Sequence, residues 1–258
     1  MRIVVAYKWT SDPEEATVRA DGTVDWSRAK PSLSAYDPVA IEMARRLADE
    51  TGAELIGVTV GGKGVAAPIA CKAALGRGLD RLVIVEDESL AGTGRSELAA
   101  VLAEVIRYIG DVDLVVTGDS SVDVAAKMIP TVLAGELGWP AVAEVGSATG
   151  QAGALRVERA IPGGTQVLEV SGPAVLAASV DAAVARVPGM KDLLAAGKKP
   201  VERLDLAALK VPERSAVVTV TGRALPERKA RKGRLIDAAD PVAAADELVS
   251  ALRQAGAL

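Results

Sequence analysis

The strongest constraint on this chain is the alternation of short apolar runs with amphipathic stretches over its first two-thirds. Continuous apolar runs are typical of strands that are buried on both faces. They occupy residues 2–7, 54–60, 81–87 and 113–118. Helical patterns occupy residues 37–52, 65–76, 94–109 and 122–137. This alternation predicts right-handed βαβ units and a parallel sheet with helices on both of its faces.

A β-rich region follows the last of these helices. The turn residues Pro162, Gly163 and Gly164 separate two β-like runs, 154–161 and 165–172, and predict a hairpin. A further buried strand over residues 173–180 is expected to rejoin the main sheet. We therefore predict an α/β fold with a doubly wound, mostly parallel, Rossmann-like sheet of the nucleotide-binding type and a β-hairpin insertion.

The helix over residues 37–52 carries clear signals at both ends. Asp37 is placed as its N-cap, Pro38 falls in its first turn, and Gly52 follows its end. The boundaries of this helix are therefore predicted with its capping residues.

After residue 186 the pattern changes to loops, a short helix and an extended segment. Asp240 is predicted to cap a terminal amphipathic helix over residues 240–256. Such a segment buries little against itself, so it is either a disordered tail or an arm that docks elsewhere. We favour the arm, because the helix has an apolar stripe that needs a partner surface. The chain is accordingly divided into a nucleotide-binding domain, 1–195, and a C-terminal arm, 196–258.

The composition excludes several kinds of chemistry. The chain has no histidine, which removes Ser–His–Asp and Cys–His nucleophile systems. Its single cysteine, Cys71, excludes an intramolecular disulfide and a multi-cysteine metal site. Because 30 basic residues face 34 acidic ones, we expect no nucleic-acid partner. The opening residues show no export signal and no apolar run approaches membrane-spanning length. We therefore expect a cytoplasmic protein without stable membrane insertion.

A glycine-rich stretch follows the apolar run 54–60. Gly62, Gly64 and Ala67 match a G-x-G-x-x-A dinucleotide fingerprint, and Glu86 ends the next predicted strand. The same residues also suit an ordinary tight turn before a helix. We favour the turn over an NAD site, because three small residues are a weak signal in a chain that has many of them.

A second candidate site is the stretch at the end of the run 113–118. Gly118 would allow close backbone approach, and a helix starting near Val122 would direct free N–H groups and its positive dipole end outward. Ser120 and Ser121 offer hydroxyl donors, and Asp123 can accept from an adenine amino group or a ribose hydroxyl. In an open α/β sheet such strand ends hold ligands, so we predict a nucleotide cradle.

Two other interpretations of this stretch remain open. Ser121 or Asp119 can simply cap the following helix, which is the usual role of such residues. Asp119 and Asp123 together can also suggest a Mg²⁺ site, but two carboxylates on one loop are weak support for a metal. We predict no metal. Because no nucleophile–base pair is visible, we expect a binding protein rather than an enzyme, with no catalytic side chains of its own.

A run of basic side chains lies in the predicted arm, with only Glu227 opposing it. The run consists of Arg223, Arg228, Lys229, Arg231, Lys232 and Arg234. It is equally consistent with a solvated surface and with a surface that binds an acidic partner.

Several segments of the chain resemble, in order and spacing, the motifs of one protein family. "SAYDPVAIEMARRL" is similar to the family's Asn-Pro-x-x-x-x-Ala-Leu-Glu-x-Ala segment, and "AALGRGLDRLVIVED" to its Ala-Leu-x-x-Gly-x-Asp-Arg pattern. "LVVTGDSSVD" with "LAGELGWP" resembles its nucleotide loop and the helix after it, and "VERAIPGG" and "GPAVLAAS" resemble its hairpin and the following strand. By these motifs the chain resembles, over almost its whole length, the β-subunit of electron-transfer flavoproteins. Ser34 departs from it, since the family usually has Asn there.

The resemblance implies a heterodimer in which the α-subunit holds most of a redox-active FAD. The β-subunit would bind a structural AMP, with Ala6 and Gly118 lining the pocket and Asp123 in its loop. The C-terminal arm would wrap the α-subunit, and the loop Val187–Lys199 would dock acyl-CoA-type or other flavin dehydrogenases. A quinone oxidoreductase would accept the electrons. Two alternatives stay open: a bifurcating-type subunit with a second FAD in place of AMP, and a stand-alone adenine-nucleotide-binding protein.

Overall fold

The computed structural model describes residues 1–19, 21–212, 221, 230 and 233–258. Its contacts divide the chain into two compact units, Met1–Thr221 and Gly222–Leu258. Among the described residues, the strands are β1 (Arg2–Ala6), β2 (Trp9–Ser11), β3 (Thr17–Val18), β4 (Val24–Asp25), β5 (Pro31–Leu33), β6 (Glu54–Gly61), β7 (Arg81–Glu86), β8 (Leu114–Gly118), β9 (Ala141–Gln151), β10 (Ala154–Ile161), β11 (Gly164–Val170), β12 (Ala174–Ala178) and β13 (Val201–Leu204).

The main sheet of the first unit has nine strands in the order β11-β10-β9-β12-β8-β1-β6-β7-β13. The seven strands β9, β12, β8, β1, β6, β7 and β13 pair in parallel. Strand β10 pairs antiparallel with both β9 and β11, and β10 and β11 form the predicted hairpin. The chain proceeds from β1 to β6 and β7 on one side, then returns to place β8 on the other side of β1. The strand order therefore reverses between β1 and β8.

Helices cover both faces of this sheet. The described helices of the first unit are α1 (Asp37–Thr51), α2 (Pro68–Leu75), α3 (Arg95–Ile109), α4 (Ile129–Leu137) and α5 (Met190–Ala196), and the second unit contains α6 (Pro241–Gln254). Helices α1 and α2 pack with Ile3 and Val5 of β1, and α3 and α4 pack with Val4 and Ala6 on the opposite face. Alternate side chains of one central strand thus enter two cores, which confirms the doubly wound α/β fold.

The helix predicted over 122–137 is shorter than expected, because α4 begins only at Ile129. Ala125 and Lys127 have φ values of 52° and 50°, which a right-handed helix does not allow. Pro130 falls in the first turn of α4, the one place where a helix accepts proline without losing a hydrogen bond. The prediction of a helix start at Val122 was therefore wrong, and residues 119–128 form a loop.

Asp37 is not the N-cap of α1, contrary to expectation. The helix begins at Asp37 itself and Tyr36 stands in the cap position without a side-chain hydrogen bond. The carboxylate of Asp37 is buried and accepts the backbone N–H of Lys8 at 2.7 Å and that of Gly118. Burial raises the pKa of Asp37 to about 7, although these two backbone donors oppose the rise. One carboxylate therefore joins the ends of β1 and β8.

Gly118 is a glycine because α1 approaches it closely. A Cβ at this position would lie 2.7 Å from both Asp37 Oδ1 and Tyr36 Cβ, and 3.1 Å from the Tyr36 carbonyl carbon. The two separations of 2.7 Å are shorter than a real Cβ atom makes with its neighbours. We predicted a close approach of a ligand to the backbone at Gly118. The group that approaches Gly118 is instead the N-terminus of α1.

The C-terminal region begins inside the first unit. Strand β13 pairs in parallel with β7 at the edge of the main sheet, so these residues of the predicted arm belong to the sheet. In the second unit, Asp240 caps α6 as predicted, and its carboxylate accepts from the N–H groups of Val242 and Ala243. Val242 is 72% exposed. Docking of the arm on a partner stays a prediction, and most of the basic run lies outside the described residues, although Arg234 pairs with Glu247 at 2.6 Å.

We expect Gly118→Ala to destabilise the protein by about 1–3 kcal/mol, because the added methyl group overlaps Asp37 and Tyr36. The matched control is Gly135→Ala, where a Cβ meets no atom within 4 Å. In the α4 helix that change should be neutral or stabilising by up to about 1 kcal/mol. Urea denaturation of both variants measures the difference. Equal unfolding free energies for the two variants would contradict the packing described here.

The titration of Asp37 predicts a dependence of stability on pH. Because its pKa is raised from 3.8 to about 7, the folded protein keeps a proton that the unfolded chain has already lost over this interval. The stabilisation from this carboxyl is therefore complete below pH 3.8 and declines as the pH rises towards 7. Relative to Asp37→Asn, the wild type should lose a few kcal/mol across that window. A difference between the two proteins that is constant with pH, measured by denaturation, would refute this.

Candidate functional site

A cavity of about 140 Å³ lies at the carboxyl ends of β1 and β8. This is the point at which the strand order reverses, where open α/β sheets bind their ligands. Its apolar lining residues include Val60, Leu98, Leu102, Val124, Met128 and Ile129. Polar side chains from the ends of β1 and β8 and from the loop 119–128 also line it.

Four of the five residues predicted for a nucleotide site line this cavity together. They are Ala6, Gly118, Ser120 and Ser121. The fifth, Asp123, lies beside the wall rather than in it. Its Oδ2 accepts from Lys8 Nζ at 2.6 Å and from Thr10 Oγ1 at 3.2 Å, so it fixes the loop to the chain that leaves β1.

Two buried polar atoms of the loop 119–128 have no hydrogen-bond partner among the described residues. They are Ser120 Oγ and Asp123 Oδ1. Burial acts to raise the pKa of Asp123, but the hydrogen bond and charge of Lys8 lower it below its usual value, so the carboxylate is ionised. Buried polar groups in proteins are almost always paired. These two atoms therefore offer a ligand one hydroxyl and one acceptor.

The N-terminal turns of two helices also line the cavity. Arg95 and Leu98 come from the first turn of α3, and Met128, Ile129 and Pro130 come from the start of α4. The first N–H groups of a helix have no partner within it, and the helix dipole makes this end positive. Arg95 adds a guanidinium that has no ion-pair partner in the described part of the chain. Both features favour a negatively charged group, although the predicted source at Val122 was wrong.

Lys127 is a cavity residue that the sequence did not single out. Its ammonium contacts the carboxylate of Asp119 and donates a hydrogen bond to Glu144 Oε1 at 2.8 Å. Hydrogen bonds to Asp119 and then to Glu144 raise the pKa of Lys127. Because Asp119 pairs with Lys127 and Asp123 pairs with Lys8, the two carboxylates do not share a site. The described residues contain no cluster of three or more metal-ligating side chains.

The glycine-rich turn after β6 is closed by a side chain of the protein. Glu86 Oε2 accepts the N–H groups of Gly64 and Ala66, both at 2.9 Å. These are the donors that a dinucleotide fingerprint would direct at a pyrophosphate. The geometry matches the tight turn that we favoured, and the N–H groups of this turn are already used.

Three residues of the site were not predicted from the sequence, and they differ in whether a sequence pattern could have indicated them. Lys8 follows β1 directly, so its place at the carboxyl edge of the sheet was available as a signal. Asp37 carried a signal for a different role, because an acidic residue before Pro38 is typical of a cap. Lys127 had none, since its position depends on the left-handed backbone of the loop.

The arrangement is suited to holding a ligand. Lys8 and Lys127 are both engaged by carboxylates, and the chain has no histidine that could move a proton at the cavity. What the wall offers is apolar surface, a hydroxyl, backbone donors and a guanidinium. No helix among the described residues is long and apolar enough to cross a membrane.

Comparison with known families identifies the chain. A family model described as the electron transfer flavoprotein domain matches residues 21–209, almost three-quarters of the sequence. The match includes β6 to β13 and the loop 119–128 that closes the cavity. Proteins of this family are electron carriers in which flavin takes part, rather than catalytic enzymes. The chain belongs to the electron transfer flavoprotein family.

Proposed function

We propose that this chain is the β-subunit of a heterodimeric electron-transfer flavoprotein and that its cavity binds AMP in a structural role. The observation that carries the proposal is the cavity between the ends of β1 and β8, with Ser120 Oγ and Asp123 Oδ1 buried and unpaired beside it. The carrier's FAD belongs mainly to the α-subunit. A cytoplasmic location is part of the same proposal.

The residues of the cavity fit a nucleoside monophosphate. Its apolar lining, with Val60, Leu98 and Leu102, suits the faces of an adenine ring. The unpaired atoms at Ser120 and Asp123 suit hydroxyl and amino groups of the nucleoside. The starts of α3 and α4, together with Arg95, suit a phosphate.

The flavin supplies the redox chemistry when it is bound, and this chain supplies binding and orientation. The side chains around the cavity are fixed by ion pairs, Lys8 with Asp123 and Lys127 with Asp119. They are therefore placed to hold a nucleotide still and to exclude water from it. That role agrees with a nucleotide that is retained and not turned over.

The loop Val187–Lys199 is proposed to dock flavin dehydrogenases. Its base is anchored, since Arg186 Nε donates to Glu42 Oε2 at 2.6 Å. Beyond this anchor the apolar side chains are exposed: Val187 by 87%, Met190 by 74% and Leu194 by 68%. An anchored loop with exposed apolar side chains is typical of a site for transient protein contacts. The arm, 196–258, is proposed to bind the α-subunit, and a quinone oxidoreductase to accept the electrons.

Two alternatives are distinguished by the bound nucleotide. A bifurcating-type subunit would hold a second FAD in place of AMP, and a stand-alone nucleotide-binding protein would need no α-subunit. Because the N–H groups of Gly64 and Ala66 already donate to Glu86, these two donors of the turn are not free for a second pyrophosphate. This observation favours AMP.

The proposed function predicts the nucleotide content of the purified protein. We expect one AMP per chain on denaturation, and one FAD per heterodimer only when the α-subunit is co-expressed. Mass spectrometry of the released small molecules, with quantification against protein, makes the measurement. Two FAD per heterodimer would instead identify a bifurcating carrier, and an absence of nucleotide in both preparations would refute a nucleotide role for the cavity.

Another prediction concerns the unpaired hydroxyl. Ser120→Ala removes a hydrogen bond to the nucleotide and should weaken AMP binding about three- to tenfold. Stability of the free protein should hardly change, because Ser120 Oγ has no partner in the described residues. Equilibrium dialysis with labelled AMP measures the affinity. The matched control is Ser171→Ala, an exposed serine before β12 at the opposite end of the sheet, which should bind as the wild type does.

A further inference from the structure

The loop 119–128, which we call the nucleotide loop, closes the cavity and is held at two separate places. Its first half is fixed to the chain around β1. The N–H of Val122 donates to Ser34 Oγ at 3.3 Å, and Asp123 accepts from Lys8 Nζ at 2.6 Å. The serine that departs from the family pattern at position 34 thus serves as an anchor for this half.

The second half of the nucleotide loop covers the cavity and has a strained backbone. Val124, Ala126, Lys127 and Met128 all line the wall. Ala125 and Lys127 have φ values of 52° and 50°, in the left-handed region that is unfavourable for residues with a Cβ. Such a conformation persists only where other interactions hold it. The second half of the loop therefore needs stabilising contacts of its own.

Lys127 provides contacts that can hold this half in place. Its ammonium binds Asp119, the first residue of the loop, which closes the loop into a ring. It also binds Glu144 Oε1 at 2.8 Å, and Glu144 lies on β9 where the register between β9 and β12 shifts. Glu144 itself has a φ of 57°. Two carboxylates, one at the start of the nucleotide loop and one on β9, thus converge on one lysine.

The two carboxylates that bind Lys127 differ in their exposure to water. The side chain of Asp119 is 7% exposed, whereas that of Glu144 is 48% exposed. An ion pair at the surface is weakened by water and salt, but a buried carboxylate strongly resists the loss of the cation that pairs with it. The bond to Glu144 is therefore the one that opens first, and the bond to Asp119 is the one that keeps the loop shaped.

We propose that Lys127 is a positioning residue that latches the nucleotide loop over the bound nucleotide and thereby sets the rate of nucleotide release. The latch consists of Lys127, Asp119 and Glu144. The inference rests on the proposed function, because it requires a nucleotide in the cavity. It adds that retention depends on contacts between protein side chains as well as on contacts with the ligand.

The test combines nucleotide release with hydrogen exchange in the full-length chain. Glu144→Gln removes only the exposed half of the latch, so it should fold normally and release AMP about two- to fourfold faster. Lys127→Met removes both halves and should release AMP about tenfold faster. Lys127→Arg should largely restore slow release. Exchange of bound AMP for isotope-labelled AMP, followed by mass spectrometry, gives the rates.

A double-mutant cycle separates a latch from general destabilisation. Once Lys127→Met is present, adding Glu144→Gln should change the release rate no further, because the shared contact is already lost. Backbone amides within 120–128 should exchange faster in both single variants even without nucleotide, while amides of β1 and β8 should not. Lys72→Met, which removes an exposed lysine of α2, is the charge-matched control and should behave as the wild type.

Failure of the latch and failure of the proposed function give different results. Unchanged AMP release and unchanged loop exchange in Lys127→Met would overturn the latch while leaving the nucleotide site intact. Fully additive effects of Lys127→Met and Glu144→Gln would overturn it as well. A wild-type protein that binds no AMP would overturn the proposed function and, with it, the release rate assigned to Lys127.

Discussion

The carboxylate of Asp37 is the group on which the carboxyl edge of the sheet depends. It is buried at the start of α1 and accepts N–H groups from the ends of two adjacent strands, β1 and β8. A buried carboxylate is costly unless its oxygens are paired, so the two strand ends must present their N–H groups to it. The helix can come close enough only because Gly118 has no Cβ. The cavity opens beside this junction, and its position follows from it.

Electrostatics around the cavity are arranged in local pairs. Lys8 is matched by Asp123, and Lys127 by Asp119 and Glu144. Lys8 and Lys127 are therefore engaged within the protein, and on the proposed function the charge of the nucleotide faces helix N-termini and Arg95. Backbone dipoles of this kind do not titrate or exchange protons. They stabilise a bound anion without providing groups for chemistry, which agrees with an electron-carrier family in which flavin does the redox work.

The sequence predicted those features that arise from local patterns. The buried strands and the hairpin at Pro162–Gly164 follow from apolar periodicity and turn residues, and Asp240 caps α6 through its immediate neighbours. Contacts between distant segments could not be predicted in this way. Asp37 has the local pattern of an N-cap, but its carboxylate instead accepts N–H groups from the ends of strands that are 29 or more residues away in the sequence. The start of α4 was missed, although Pro130 fits only a first turn and could have indicated it.

The cavity and the proposed docking loop are linked through one strand end. The N–H of Asp119 donates to the carbonyl of Ala178 at 3.1 Å, so the nucleotide loop is bonded to the last residue of β12. The chain then runs from β12 to Arg186, which is anchored on α1 by Glu42, and on into the exposed loop Val187–Lys199. One end of this connection is thus bonded to the nucleotide loop and the other to α1. On the proposed function, a nucleotide that orders the nucleotide loop also holds the strand end from which the docking segment starts, which gives a redox-inactive nucleotide a physical role in an electron carrier.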